Sequence, residues 1–203
     1  MHHARVVGLA VAAACAGCSN PPSPRAAAAA QLVDVYAGGV QLGERIGVTL
    51  ANVPALTLLP HVGYRDSSFH SADGFSDLIV VLEGMPLTET VHPSPSARSL
   101  AVQISTQSAA AAKAAEQRLR AALGGPQEGC NGRPTDALNR VLFWRHERGG
   151  VALIIPVGSW TVTVRDSVGR STSWPRSATI VFDRDDPTRF VTWVRRCEAL
   201  LAG

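Results

Sequence analysis

The sequence predicts an α+β fold with a largely antiparallel sheet packed by two main helices, and three observations carry that prediction. Apolar and polar residues alternate at period two in several short runs, two segments repeat their apolar residues at helical spacing, and consecutive strand runs are joined by short turn-forming connections. Strand runs linked by hairpins, with isolated helices beside them, give a sheet with helices laid on it. A doubly wound parallel sheet would instead alternate strand and helix throughout.

The elements follow in chain order. Asp77 to Glu83 (DLIVVLE), and later Val151 to Val157 (VALIIPV), are almost continuously apolar, as strands covered on both faces would be. Leu100, Val102 and Ile104 alternate with Ala101 and Gln103, which marks a half-buried strand. From Ser108 to Leu123, Ala112, Ala115, Leu119, Ala122 and Leu123 share one helical face, and Gly124-Gly125-Pro126 stops the helix. Arg140 to Glu147 (RVLFWRHE) and Val151 to Val157 (VALIIPV) are strands, and Gly149-Gly150 between them predicts a hairpin. Trp160, Val162 and Val164 alternate with Thr161, Thr163 and Arg165, and Ala178, Ile180 and Phe182 with Thr179 and Val181. Asp186 and Pro187 form an N-cap and first-turn pair for a last helix, on which Phe190, Val194, Cys197 and Leu201 make an apolar stripe.

Composition supports a single folded body. Of the 203 residues 46% are apolar and 17% charged, enough to bury a core and unlike a disordered chain. Arg5 falls in an expected leader, which takes the basic count from 19 to 18 against 16 acidic residues, so the mature chain is close to neutral. Basic residues are scattered and no Lys/Arg run is interleaved with aromatics, which argues against a nucleic-acid partner.

The N-terminus carries the most specific signal. A weakly basic start, Met1 to Arg5, leads into the apolar run Val6 to Ala14 (VVGLAVAAA). As a helix that run spans about 14 Å, too short for a hydrocarbon core of roughly 30 Å, but it fits the apolar middle of a secretory signal peptide. Small residues Ala16 and Gly17 precede Cys18, and Ser19-Asn20 and the proline-rich stretch Pro21 to Pro24 follow it. This pattern resembles the lipobox of bacterial lipoproteins. The resemblance implies removal of residues 1–17, diacylglyceryl attachment to the Cys18 thiol, and anchoring by acyl chains, palmitate among them. Membrane lipid is then the first expected partner. Two or more acyl chains make such an anchor durable, whereas one binds reversibly. Cys15, three residues earlier where such lipoproteins usually carry an aliphatic residue, is a rival acceptor, and an ordinary cleaved signal peptide is the alternative to lipidation. Ser19 after the acceptor resembles outer-membrane lipoproteins, so the expected location is the cell envelope, at the periplasmic face of the outer membrane.

Residues 18–30, with their prolines and alanine tract, are expected to act as a tether, and residues 31–203 as one α+β domain. Proline favours extended backbone, while the alanines are open to either helix or disorder. A segment from Gly39 to Leu59 followed by strands echoes the helix ending in Leu123-Gly124-Gly125-Pro126 and its following strands. That order is similar to small proteins of the β-lactamase-inhibitor-like fold, which implies two helix-plus-three-strand repeats.

Candidate chemistry is sparse. Cys130 and Cys197 are the two cysteines of the domain, and in an oxidising compartment a disulfide between them is expected. It would close about 67 residues and contribute roughly 4 kcal/mol through loop entropy. His61, His70, His92 and His146 show no metal-ligand spacing, and Asp183, Asp185 and Asp186 lack the full calcium-loop pattern, so a solvated turn and helix cap is expected there and no metal or cofactor is assigned. Tyr64 to His70 contains Asp66, Ser67, Ser68 and His70, read as a polar loop rather than a triad. No nucleophile-elbow or phosphate-binding motif is present. Of Trp144, Trp160, Trp174 and Trp193, Trp174 lies in a loop-like Thr-Ser-Trp-Pro context and is the candidate contact residue. The expected function is a non-enzymatic binding or interaction module with an envelope protein or other envelope component as partner. An envelope hydrolase built from dispersed polar residues is the alternative.

Overall fold

The computed structural model describes residues 21–60, 62–83, 93–131, 138–165 and 168–186. Its first element is helix α1, Pro24–Ala37, which begins inside the expected tether. Ser23 caps it by accepting a hydrogen bond from the Ala26 N–H, and Pro24 supplies a preset φ in the first turn. Alanine has the highest helix propensity, so the tract extends the helix and residues 24–30 belong to the folded domain. The domain boundary expected at residue 30 therefore moves back to Ser23. A short helix α2, Ile46–Asn52, follows.

Four strands come next: β1 (Thr57–Leu59), β2 (Gly63–His70), β3 (Ser76–Leu82) and β4 (Ser99–Thr106). Helix α3 (Ala109–Leu123) precedes β5 (Gln127–Asn131), β6 (Asn139–His146) and β7 (Gly149–Pro156). A hairpin of β8 (Thr161–Arg165) and β9 (Ser171–Pro175) then leads to β10 (Ala178–Asp183). Eight strands form one sheet in the order β1-β2-β3-β4-β10-β7-β6-β5, with every pairing antiparallel, and β8-β9 is a separate two-stranded sheet. The α+β class with a mostly antiparallel sheet is as expected. Each half of the sheet holds four strands rather than the three expected, because the short outer strands β1 and β5 add themselves to the two edges. The halves meet where β10 pairs with β4.

Helices α1 and α3 pack on one face of this sheet. The face is read directly from period-two positions: Leu78 and Val80, Val102 and Ile104, Leu142 and Trp144, Val151 and Leu153, Ile180 and Phe182 all enter the core. Tyr36 and Val33 of α1 and Leu119 of α3 close over them. Each such side chain contributes about 1.5–3 kcal/mol on burial. In DLIVVLE the burial alternates, Leu78, Val80 and Leu82 being buried while Ile79 and Val81 are half-buried. The expected cover on both faces is thus corrected for this strand, whereas in VALIIPV Val151, Ala152 and Leu153 are all buried, so residues on both faces of β7 are covered.

Helix α3 presents Ala112, Ala115, Leu119 and Leu123 to the core as its spacing predicts, although Ala122 faces solvent. Ser108 caps its start and Gly124, at φ +81°, its end. The glycine pair has a different role from the one expected. The β6–β7 turn is Glu147-Arg148, with His146 paired to Gly149, so both glycines lie inside β7. A Cβ at Gly149 would stand 2.1 Å from the Asp183 carbonyl oxygen, so the residue lets β7 press against the end of β10.

The expected signal peptide, Cys15 and Cys18 lie outside the described residues, as do Trp193, Cys197 and the last expected helix beyond Asp186. The disulfide expected between Cys130 and Cys197 reaches outside the described residues, among which Cys130 is the only cysteine, so no two described cysteines stand at disulfide distance. Cys130 is buried in β5 and is not a free thiol. Asp183 also differs from a solvated turn residue. It is buried, and its Oδ1 accepts the backbone N–H groups of Asp185 (2.6 Å) and Asp186 (2.9 Å).

Candidate functional site

A cavity of about 640 Å³ opens between α1 and one end of the sheet. Its origin is visible in side-chain size. The first half of α1 offers only alanines to the sheet, Ala26 and Ala29, where larger side chains, Leu32 and Tyr36, pack further along. Phe182 and Val151 form the floor at the ends of β10 and β7, and Val33 and Val40 continue it. The rim is polar: Asp34 on α1, His146 and Arg148 at the β6–β7 turn, and Arg184 and Asp185 after β10.

The start of α1 is fixed to that turn. The Ser23 backbone N–H and its hydroxyl donate to the two oxygens of Glu147, each at 2.7 Å. These bonds favour the ionised carboxylate and hold the Glu147 pKa at about 2. Burial pushes the half-buried His146 below its ordinary value, with Arg25 adding to the shift and Glu147 opposing it. His146 is therefore neutral at pH 7, and its Nδ1 accepts the Arg148 N–H at 3.2 Å, which leaves the proton on Nε2. Arg184 pairs with Glu83 and lies 3.4 Å from Asp185. An apolar floor with a few polar groups at the mouth, in this volume range, is the usual make-up of a small-molecule site.

The residues singled out from sequence fall elsewhere. Trp174 lies in strand β9 rather than a loop, is 61% exposed, and stands opposite Val162 in the hairpin register. Trp144 is a core residue whose Nε1–H donates to the Gly124 carbonyl at 2.8 Å. The segment read as a polar loop is β2 itself, with an irregular register between Asp66 and His70. There the Ser68 hydroxyl donates to Asp66 Oδ1 at 2.6 Å, while His70 Nδ1 contacts the Ser68 backbone oxygen. Ser68 and His70 thus share no hydroxyl-to-imidazole bond, which a nucleophile and base would need. Among the described residues no group of His, Cys, Asp or Glu could hold a metal ion.

Tyr36 is the other buried polar group of note. Its ring packs edge-on against Phe75 with centroids 5.5 Å apart, under the guanidinium of Arg118 at 5.9 Å. Burial pushes its pKa to about 12, with Asp73 raising it further and Arg118 opposing. A phenol so high remains protonated at pH 7 and cannot act as a base there.

Sequence patterning missed the cavity because its residues come from α1, the β6–β7 turn and the end of β10. The one local signal was the alanine tract placed beside a predicted sheet. No family model matches the chain, and no curated protein and no solved structure matches it.

Proposed function

We propose that this chain is an exported bacterial envelope lipoprotein, anchored through Cys18, whose domain is a non-enzymatic binding module with its ligand site in the cavity under α1. The carrying observation is that cavity of about 640 Å³, with an apolar floor and a polar mouth. The anchor part of the reading rests on the lipobox-like sequence around Cys18, with Cys15 as the rival acceptor. Neutral His146 and the paired Arg184 are suited to holding a ligand by hydrogen bonds, and they do not form a nucleophile-and-base pair.

Two measurements on protein taken from membranes test the two parts separately. The N-terminal peptide should carry diacylglyceryl on Cys18, and Cys18→Ser should release the protein from membranes; an unmodified Cys18 would overturn the anchor. Native mass spectrometry should show a co-purifying small molecule that is lost in Ala30→Trp, a substitution at an exposed position on the cavity mouth. An adduct that survives Ala30→Trp, or its absence from wild type, would overturn the binding site.

A further inference from the structure

We infer that the cavity takes the acyl chain of a single-chain lipid with an uncharged polar head, drawn from the membrane that holds the anchor; this rests on the reading of the cavity as a ligand site. Three features point there. The first is position. Pro22 lines the cavity, and Ser23 is fixed to Glu147 by two hydrogen bonds. Four peptide steps separate Pro22 from Cys18, a reach of at most about 14 Å. A lipid on Cys18 would therefore keep the cavity close to the bilayer surface, and a ligand leaving the bilayer would meet it first.

The second feature is the floor. Ala27 and Leu42, half-buried, border the cavity, and Ala26, Ala29, Val33, Val151 and Phe182 lie buried beneath it, so its base has no hydrogen-bonding side chain, which suits a hydrocarbon chain and penalises a polar one. The third is the charge balance of the lining, which carries two guanidinium groups, Arg148 and Arg184, and two carboxylates, Asp34 and Asp185. Arg184 is engaged by Glu83 and Asp185, and Arg148 also has a partner, so neither cation is reserved for an anionic head. With two cationic and two anionic side chains in the lining, neither an anionic nor a cationic head is favoured over an uncharged one. Neutral His146 and the amide of Gln41 remain to hydrogen-bond an uncharged head.

The test uses the full chain with Cys15→Ser and Cys18→Ser, which carries no lipid of its own, titrated with monolauroylglycerol below its micelle concentration. Saturable one-to-one binding is expected, weakened at least tenfold by Ala30→Trp and unchanged by Val35→Trp on the exposed side of the same helix. Laurate and dodecyltrimethylammonium should bind at least tenfold more weakly than the uncharged probe. Equal binding of all three probes, or binding indifferent to Ala30→Trp, would overturn the proposal. If a polar molecule from cells occupies the cavity and monolauroylglycerol does not, the lipid class falls while the ligand site stands. If neither binds, both fall. The lipidated wild type should bind the probe as the serine variant does; refusal by the lipidated form alone would make the Cys18 acyl chain the occupant and overturn a membrane-drawn ligand.

Discussion

The two ends of the sheet are built in opposite ways. At one end α1, the β6–β7 turn and the end of β10 converge over buried Phe182 and Val151, and the start of α1 is tied down by Ser23 and Glu147. At the other, β7 ends at Pro156 and β10 begins at Ala178, and between them the β8–β9 hairpin leaves the sheet with all of β9 exposed. The first end is held by area removed from water. The second is held at its base by Arg176, whose guanidinium donates to the carbonyls of Val157, Ser159 and Leu138 and to Asn139 Oδ1 at 2.6–3.1 Å. One end can therefore keep an open-mouthed cavity, while the other can only present a surface.

The largest effect should come from opening the first end. Phe182→Ala removes the cavity floor and a fully buried ring, and should cost about 3–5 kcal/mol in chemical denaturation. A loss near 1 kcal/mol would mean that this end collapses to fill the gap and is less rigid than its packing indicates. The corresponding cut at the second end is Arg176→Ala. Removing one charged donor group from four acceptors should cost about 1–3 kcal/mol, with amide exchange accelerated in β8 and β9 and unchanged in α1. Exchange that rises equally at both ends would erase the distinction between them.

A smaller effect concerns the tie at the start of α1. Ser23→Ala removes the N-cap and should cost about 1 kcal/mol. The pH dependence has a definite sign. The Glu147 pKa is held at about 2 in the folded chain against an ordinary 4.5, so the folded state favours the carboxylate. Its contribution is fully present above pH 4.5 and is lost as pH falls toward 2. The protection factor of the amides in the first turn of α1, corrected for intrinsic exchange at each pH, should fall across that window in wild type, and Glu147→Gln should abolish that fall.

How far the sequence foretold these two ends differs for physical reasons. Period-two burial located the core strands, because Leu142 and Trp144 or Ile180 and Phe182 must face one side once a helix covers it. The helix over residues 109–123 was legible for the same reason at period 3.6. Helix α1 was not, because an all-alanine turn has no polar face to contrast with an apolar one, and its orientation is set by Leu32, Val33 and Tyr36 further along. The cavity was illegible because it is a difference in volume between elements distant in sequence. Gly149-Gly150 misled in a simple way: glycine signals both turns and close approach, and only the position of the Asp183 carbonyl tells which one applies.

Trp174 should give the smallest effect on stability and so the sharpest contrast. The sequence singled it out as a contact residue, and its 61% exposure on a hairpin outside the main sheet leaves little area to lose on truncation. Trp174→Ala should change unfolding stability by no more than about 0.5 kcal/mol. Trp144→Ala should cost about 3–5 kcal/mol, because that ring is 1% exposed and its indole N–H holds the end of α3. Equal losses from the two would mean that the hairpin packs in solution against something that buries Trp174, and the exposed end would then have to be treated as part of the core.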